Sequence, residues 1–364
     1  MVTTVVRGAP DGAATGFVYV IDADRRRVLM SSPLFETPWA WAGTNPRGGH
    51  RGGRGITAAD GLLAIANADE IHAFDHAWQR TAVLTDPALG DIHELAPAPG
   101  GVWACSTRAD QLVRLRWDGS VAERWSFRDD PGLVRRFGYR TVAPVDDALD
   151  HRVMRDVDLD AVDLTHVNGV TVVAGGLLVG LGRVRLPAPS PAERAAAAVG
   201  AIAHAAVVGR PLTRRLRDER VRRSGADPVP GARRHGLLVL LAGGLPARVL
   251  VDRPLVQWPN HNQLEHGREV VLCDTSAGRV VAIDRDSGSE RSVAVPQASA
   301  FLRGLAPLDG DRFLVGTRRP AALHVVDLAS CRAEPAMALS DNADESVHDI
   351  EPLPAAWNDP PRAL

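Results

Sequence analysis

The sequence predicts an all-β protein, a six-bladed β-propeller whose N- and C-terminal strands close one blade, with a helical insertion in blade three. Three observations predict it. A strand–turn–strand pattern is written six times, each copy opening on His or Arg. The two ends of the chain carry complementary pieces of one unit. The starts at 54 and 93, and at 261, 303 and 348, fall about one blade apart by the roughly 40–50-residue rule for propeller repeats.

The fullest copy runs over residues 165–180. A strand opens on His166, Val167 and Asn168, Gly175 and Gly176 turn it, and Leu177 begins the returning strand. His93, His261 and Arg303 open equivalent copies that turn at Gly100, Gly267 and Gly310, and Arg54 opens one that turns at Gly61. The sixth copy starts at His348 and runs to Leu353, with too few residues after it for the returning strands. At the other end, residues 16–21 and 27–30 read as third and fourth strands around a turn at Asp22 to Asp24, without a first strand. The last copy supplies that strand. Closing the ring in this way leaves no sheet edge exposed between the ends. The whole chain, 1–364, reads as one domain.

Residues 187–234 interrupt blade three between its second and third strands. Residues 192–208 are alanine-rich behind Pro191 and read as a helix, and 212–223 as a strongly basic second one. By strand order the insertion emerges at the mouth of the channel where the first strands begin. The loops holding Trp41, His50 and Trp258 gather there too. The insertion is expected to act as a lid or as the contact of a homodimer.

Composition narrows the function. The chain has 364 residues, 45% hydrophobic and 24% charged, a normal balance for a globular protein with a large core. A net charge of -2 gives no reason to expect nucleic acid or an anionic membrane as partner. All 42 basic residues are arginine, so lysine-based covalent chemistry is excluded. Cys105, Cys273 and Cys331 suggest no disulfide framework. With no leader-like N-terminus and no apolar run of spanning length, a cytoplasmic protein is expected.

The starters Arg54, His93, His166, His261, Arg303 and His348 should project from one level at the top of the channel. Four imidazoles and two guanidiniums on one axis repel one another unless a metal or an anion sits among them. Neutral imidazoles suit a divalent transition metal such as Fe²⁺, Zn²⁺ or Cu²⁺. The candidate ligands are His93, His166, His261 and His348. Arginine forks suit an anionic substrate group, so His348, Arg54 and Arg303 are the candidate catalytic residues. Asn168 and Gln263, two residues down their strands, join Trp41 and Trp258 as candidate substrate contacts. Against this stands the plain reading of each histidine as a strand-start residue whose hydrogen bonds are satisfied. No P-loop, EF-hand loop or nucleophile elbow is present.

The blade pattern resembles the six-bladed propellers grouped around strictosidine synthase, gluconolactonase and virginiamycin B lyase. His166 with Asn168, and His348 and Asp349 with Leu353 and Pro354, are similar to motifs of bacterial arylsulfotransferases, which implies channel histidines and an arginine serving group transfer. The four-histidine ring resembles carotenoid cleavage oxygenases, which implies iron. Together these readings predict an enzyme acting on a small anionic or polar molecule at the channel mouth, metal-dependent or else a metal-independent lyase, cyclase or transferase. The third expectation is a binding propeller without catalysis.

Overall fold

A computed structural model describes residues 1–10, 13–34, 52–137, 150–152, 163–185, 234–243, 245–254, 259–296, 301–357 and 359–364. The chain begins with β1 (Val2–Val6), β2 (Phe17–Asp22) and β3 (Arg27–Pro33). Blade one follows as β4 (Ile56–Ala59), β5 (Leu62–Ala66), β6 (Ile71–Phe74) and β7 (Arg80–Leu84). Blade two is β8 (Ile92–Ala98), β9 (Gly101–Ser106), β10 (Gln111–Arg116) and β11 (Val121–Ser126). After helix α1 (Pro131–Phe137) comes blade three, β12 (Val167–Val173), β13 (Gly176–Arg185), β14 (Arg234–Leu241) and β15 (Arg248–Pro254). Blade four is β16 (His261–His266), β17 (Glu269–Asp274), β18 (Arg279–Asp284) and β19 (Glu290–Ala294). Blade five is β20 (Arg303–Pro307), β21 (Arg312–Gly316), β22 (Ala322–Asp327) and β23 (Arg332–Ala338), and β24 (Glu345–Ile350) ends the series.

Each blade is a four-stranded antiparallel sheet, and the sixth has the order β24-β1-β2-β3. The C-terminal strand therefore lies innermost and pairs with the N-terminal one, Val6 opposite Glu345 and Val2 opposite Ile350. This is the expected closure, with β1 supplying a second strand. The remainder of 187–234 lies outside the described residues, with Arg234 opening β14. The two strands that flank it, β13 and β14, are paired with Val184 opposite His235. Among the described residues no helix is long and apolar enough to cross a membrane.

The core is divided by the ring. Six apolar clusters form, one at each interface between neighbouring blades. Middle strands are covered on both faces, so they read as apolar runs rather than alternating ones. All six residues of β9 are buried. Helix α1 extends one cluster by laying Leu133 and Phe137 against blades two and three, and Asp130 caps it through the Leu133 amide at 2.9 Å. The 3-10 turn Ala355–Trp357 closes the joint between blades six and one, where Trp357 meets Trp78 edge-on at 5.0 Å.

One irregularity recurs around the channel. Every innermost strand carries a bulge at the same point, where two residues face one on the second strand. The register jumps between Ile92 and Leu95, Val167 and Gly169, His261 and Gln263, and Arg303 and Leu305. It jumps around His348 in blade six. In blade one, Ala66 accepts from the Arg54 amide while its own amide donates to Gly55. The first regular pairs after the bulges are Ile56–Ile65, Leu95–Ala104, Gly169–Gly180, Gln263–Leu272, Leu305–Val315 and Asp349–Thr3. Counting back two residues from them makes Arg54, His93, Val167, His261, Arg303 and Val347 equivalent, so His348 stands one residue late. His166 is one residue early, and the equivalence expected for it passes to Val167.

Candidate functional site: a histidine and arginine ring at the channel mouth

The inner strands bring the imidazoles together. The His93 ring lies 5.1 Å from that of His166 and 5.6 Å from that of His348, both edge-on, and 6.3 Å from that of His261, stacked at 8°. One nitrogen each from His93, His166 and His261 lies within 4.8 Å of the others. His166 reaches the group despite its displaced register because its backbone is left-handed, with φ 52°. That conformation is held from below by Asp110. Its carboxylate accepts from the amides of Thr165 and His166 at 2.9 and 3.1 Å, from the Leu164 amide, and from the Thr165 hydroxyl at 2.7 Å.

The outer nitrogens fix the tautomers. Nδ1 of His93 is 2.9 Å from the Asp91 carbonyl, which can only accept, so that nitrogen carries the proton. It also lies 2.8 Å from the hydroxyl of Thr107, whose own hydrogen goes to the Val167 carbonyl of the next blade. His261 repeats the device. Its Nδ1 is 2.8 Å from Thr275, and Thr275 donates to the Leu302 carbonyl at 2.9 Å. Nδ1 of His166 donates to the Asp163 carboxylate at 2.8 Å, and Arg183 holds the same oxygen at 3.0 Å. In all three rings Nε2 is therefore the lone-pair nitrogen. Acceptors that orient histidines in this way are the usual outer support of a metal site.

The opposite side is built from cations. Arg54 donates to His348 Nε2 at 2.9 Å and to Asp91 at 2.7 Å. Arg303 also donates to His348 Nε2, and with its other amino group to Nε2 of His261. Since guanidinium only donates, His348 too carries its proton on Nδ1. That buried nitrogen has no hydrogen-bond partner among the described residues.

The expected repulsion is resolved by neutrality. Burial pushes His93, His261 and His348 well below the ordinary histidine pKa, and Arg303 adds to the effect at each. Burial lowers His166 as well, against the pull of Asp163. Three neutral nitrogen donors fit a divalent transition metal. The guanidinium of Arg303 stands at one of them, so a cation there requires Arg303 to turn away from His261.

The bulges also turn a second layer inward. Glu94, Asn262 and Asp349, each directly after a starter, are buried beside the ring. Asn262 donates to Asp349 at 3.1 Å and accepts from the Gly304 amide at 2.8 Å, and Asp349 accepts from the Ile56 amide at 3.0 Å. Burial raises Glu94 well above the carboxylate range and Asp349 to about 7. At the same level blade one has Gly55, where a Cβ would collide with the backbone of Glu94 and Leu95. These groups form a buried, hydrogen-bonded polar layer beside the ring.

Of the residues singled out from sequence, Arg54, His93, His166, His261, Arg303 and His348 converge. Asn168 and Gln263 do not share a level, because Asn168 matches Asn262 in the bulge register. Both amides point instead to the joint of blades three and four, where Asn168 bonds the Asn260 carbonyl at 2.6 Å and Gln263 fills the space left by Gly169 and Gly180. Trp41 and Trp258 lie outside the described residues, as does His50. Sequence reasoning missed Asp91, Thr107, Asp110, Asp163 and Thr275, and the layer of Glu94 and Asp349. A signal for the threonines existed. Cys105 and Cys273 each precede a threonine by two residues, and each threonine follows its histidine by fourteen.

No protein-family model matches the sequence, and no curated protein matches it. Solved structures do match. The chain is similar to a structure of a nidogen/laminin complex, at 8% identity and TM-score 0.51, over 96% of each chain. It is similar to a protein of unknown function from Bacteroides caccae, at 10% identity and TM-score 0.51, over 96% of this chain and 97% of that one. Virginiamycin B lyase from Staphylococcus aureus also aligns, at 12% identity and TM-score 0.43, over 80% of this chain and 72% of that one. At these identities the likeness is one of fold, and the chain is a six-bladed β-propeller.

Proposed function

We propose that the chain is an enzyme acting on a small anionic or polar organic molecule at the channel mouth, with a divalent transition metal held by His93, His166 and His261. The observation that carries this reading is the locked tautomer of three converging, neutral imidazoles, each with Nε2 as its lone-pair nitrogen. A bound Fe²⁺, Zn²⁺ or Cu²⁺ would supply Lewis-acid or redox chemistry. Arg303 and Arg54 orient His348 and bring positive charge to the substrate, and the Nδ1–H of His348, without a hydrogen-bond partner among the described residues, donates to it. The experiment is elemental analysis of protein purified without an affinity tag. About one equivalent of a transition metal is expected, absent in His93→Ala and His261→Ala. Protein that is metal-free, and that gains neither stability nor activity from added metal, would remove this reading.

A second reading is favoured by one contact, the donation of Arg303 to Nε2 of both His261 and His348. If that pairing persists in the working state, the site is a metal-independent lyase, cyclase or transferase. Guanidiniums then stabilise developing negative charge and a neutral imidazole moves the proton. Activity would survive EDTA and be lost in His348→Ala.

A further inference from the structure

Two buried amides share the joint of blades three and four. Asn168 follows His166 by two residues and Gln263 follows His261 by two, so each amide stands next to a converging histidine along its strand. The two residues are 3% and 5% exposed. Glycine makes room for them. A Cβ at Gly169 would collide with the Gln263 amide, and one at Gly182 with the Asn168 amide. A Cβ at Gly180 would meet both, 2.6 Å from Gln263 Oε1 and 3.3 Å from Asn168 Oδ1. The amides therefore face the same point of β13.

Asn168 Nδ2 donates to the Asn260 carbonyl at 2.6 Å. Asn168 Oδ1 and Gln263 Nε2 are buried without a hydrogen-bond partner among the described residues. Leaving a buried amide atom unmet is costly, so the pair calls for a ligand. Both amides line one crevice of about 10 Å³, together with Gly180, Gly182, Asn260 and His261, and apolar side chains of the two blades close the rest. One water molecule needs about 10–15 Å³ of such space and at least two polar partners. Asn168 Oδ1 accepts, and the Gln263 amide both donates and accepts. A molecule with two hydrogens and two lone pairs matches them, and nothing larger has room.

We infer that one resident water molecule lies between Asn168 Oδ1 and the side-chain amide of Gln263, and that it pins the strands of His166 and His261 to each other. It adds a bridge beside two direct ties. Asn168 holds the carbonyl of the residue before His261, and the Thr171 hydroxyl donates to the Gln263 carbonyl at 2.6 Å. Asn168 and Gln263 are then positioning residues that act through the two histidines, and their ligand is water rather than substrate. The inference goes beyond the proposed reaction and holds with or without a metal.

The test compares the full chain with Gly180→Ala and Gln263→Met. The alanine methyl takes the space between the amides, and methionine keeps the length of glutamine without its polar atoms. Long-lived buried waters are counted by the magnetic relaxation dispersion of water oxygen-17, and the parent should hold one more than either variant. Hydrogen exchange read by mass spectrometry should be about tenfold faster in peptides 163–173 and 259–266 of both variants, and unchanged in 301–307 of blade five. The imidazole nitrogen-15 resonances of His166 and His261 should move, and those of His324 on β22 should not. Equal water counts in parent and folded variants overturn the water. A lost water with exchange unchanged overturns the pinning, and unmoved imidazole resonances overturn the positioning role. Gln263→Met carries the test alone if Gly180→Ala does not fold. None of these measurements needs bound metal or turnover, so failure of the proposed reaction leaves their outcome standing.

Discussion

Blades two to four and blades five, six and one place chemically opposite groups at the same height of one channel. On the first side His93, His166 and His261 are backed by acceptors: a carbonyl, two hydroxyls and a carboxylate. Their outer nitrogens keep the proton and their inner ones keep a lone pair. On the second side His348 is gripped by two guanidiniums that can only donate. Its lone pair is engaged, and its N–H has no acceptor among the described residues. An inner-strand position in a propeller thus fixes only where a side chain stands. The partner behind it decides whether the same imidazole offers a lone pair or a proton.

Two buried aspartates show the same contrast and give the largest expected effect. Asp110, on the histidine side, is saturated with donors from Leu164, Thr165 and His166. Asp69, on the arginine side, has neither carboxylate oxygen hydrogen-bonded among the described residues. Asp110→Ala leaves several buried amides without an acceptor and frees the left-handed turn at His166. A loss of about 3–5 kcal/mol is expected, read as a fall in the urea midpoint. A loss under about 1 kcal/mol would mean that water replaces the carboxylate and that Asp110 does not hold His166 in the ring.

Asp69 gives the next effect, through pH. Burial raises its pKa to about 7, against the pull of Arg108 and Arg54. The folded state then binds a proton that the unfolded chain, with a pKa near 3.9, releases. Stability from this group is complete below about pH 4 and is lost as pH rises toward 7. The depressed histidines work in the other direction. Their contribution is complete above about 6.5 and is lost as pH falls below that value. Between pH 5 and 7 the two sets of groups therefore oppose one another in the parent. Asp69→Asn removes one raised acid and leaves Glu94 and Asp349 in place, so its stability relative to the parent should rise by a few kcal/mol from pH 5 to pH 8. A constant difference between variant and parent across that range would show that Asp69 keeps its charge in the fold.

Much of this was legible before any coordinates. The six starters stood out because four of the six keep one register and all are basic, and ring closure followed from what each terminus lacks. The level of His166 was not legible. A one-residue displacement repaired by a positive φ leaves no mark on a pattern of apolar residues. Nor did alternation predict that Glu94, Asn262 and Asp349 face the channel, since a bulge is what turns two successive side chains the same way. Asn168 and Gln263 were paired for that reason, and the bulge separates them. The supporting aspartates are distant in sequence and obey no period. Asp110 reaches His166 across more than fifty residues.

Arg303 is where the two halves meet, and replacing it should sharpen their difference. Arg303→Met keeps an apolar stem and releases Nε2 of His261. If the three histidines form a metal site, Zn²⁺ should bind about tenfold more tightly to the variant, in competition with a chromophoric chelator. Weaker binding would mean that Arg303 orders His261 rather than competing for it.

The smallest expected effects are the most discriminating, because they act on the tautomers alone. Thr107→Val and Thr275→Val each remove a hydroxyl that bridges a histidine to the next blade's carbonyl, and each should cost about 1 kcal/mol. Thr317 is the control, since its hydroxyl bonds the Ala322 carbonyl within its own blade at 3.2 Å and meets no histidine there. The two bridging threonines should then separate. His93 keeps the Asp91 carbonyl as a second acceptor for its N–H when Thr107 is changed. Thr275 is the acceptor found for the N–H of His261. Zn²⁺ affinity should therefore fall most in Thr275→Val, by about 10–100-fold as for other outer-support residues. The loss should be smaller in Thr107→Val and absent in Thr317→Val. Equal affinities in all three, with the stability losses as predicted, would show that the hydroxyls join the blades and do not set the histidines.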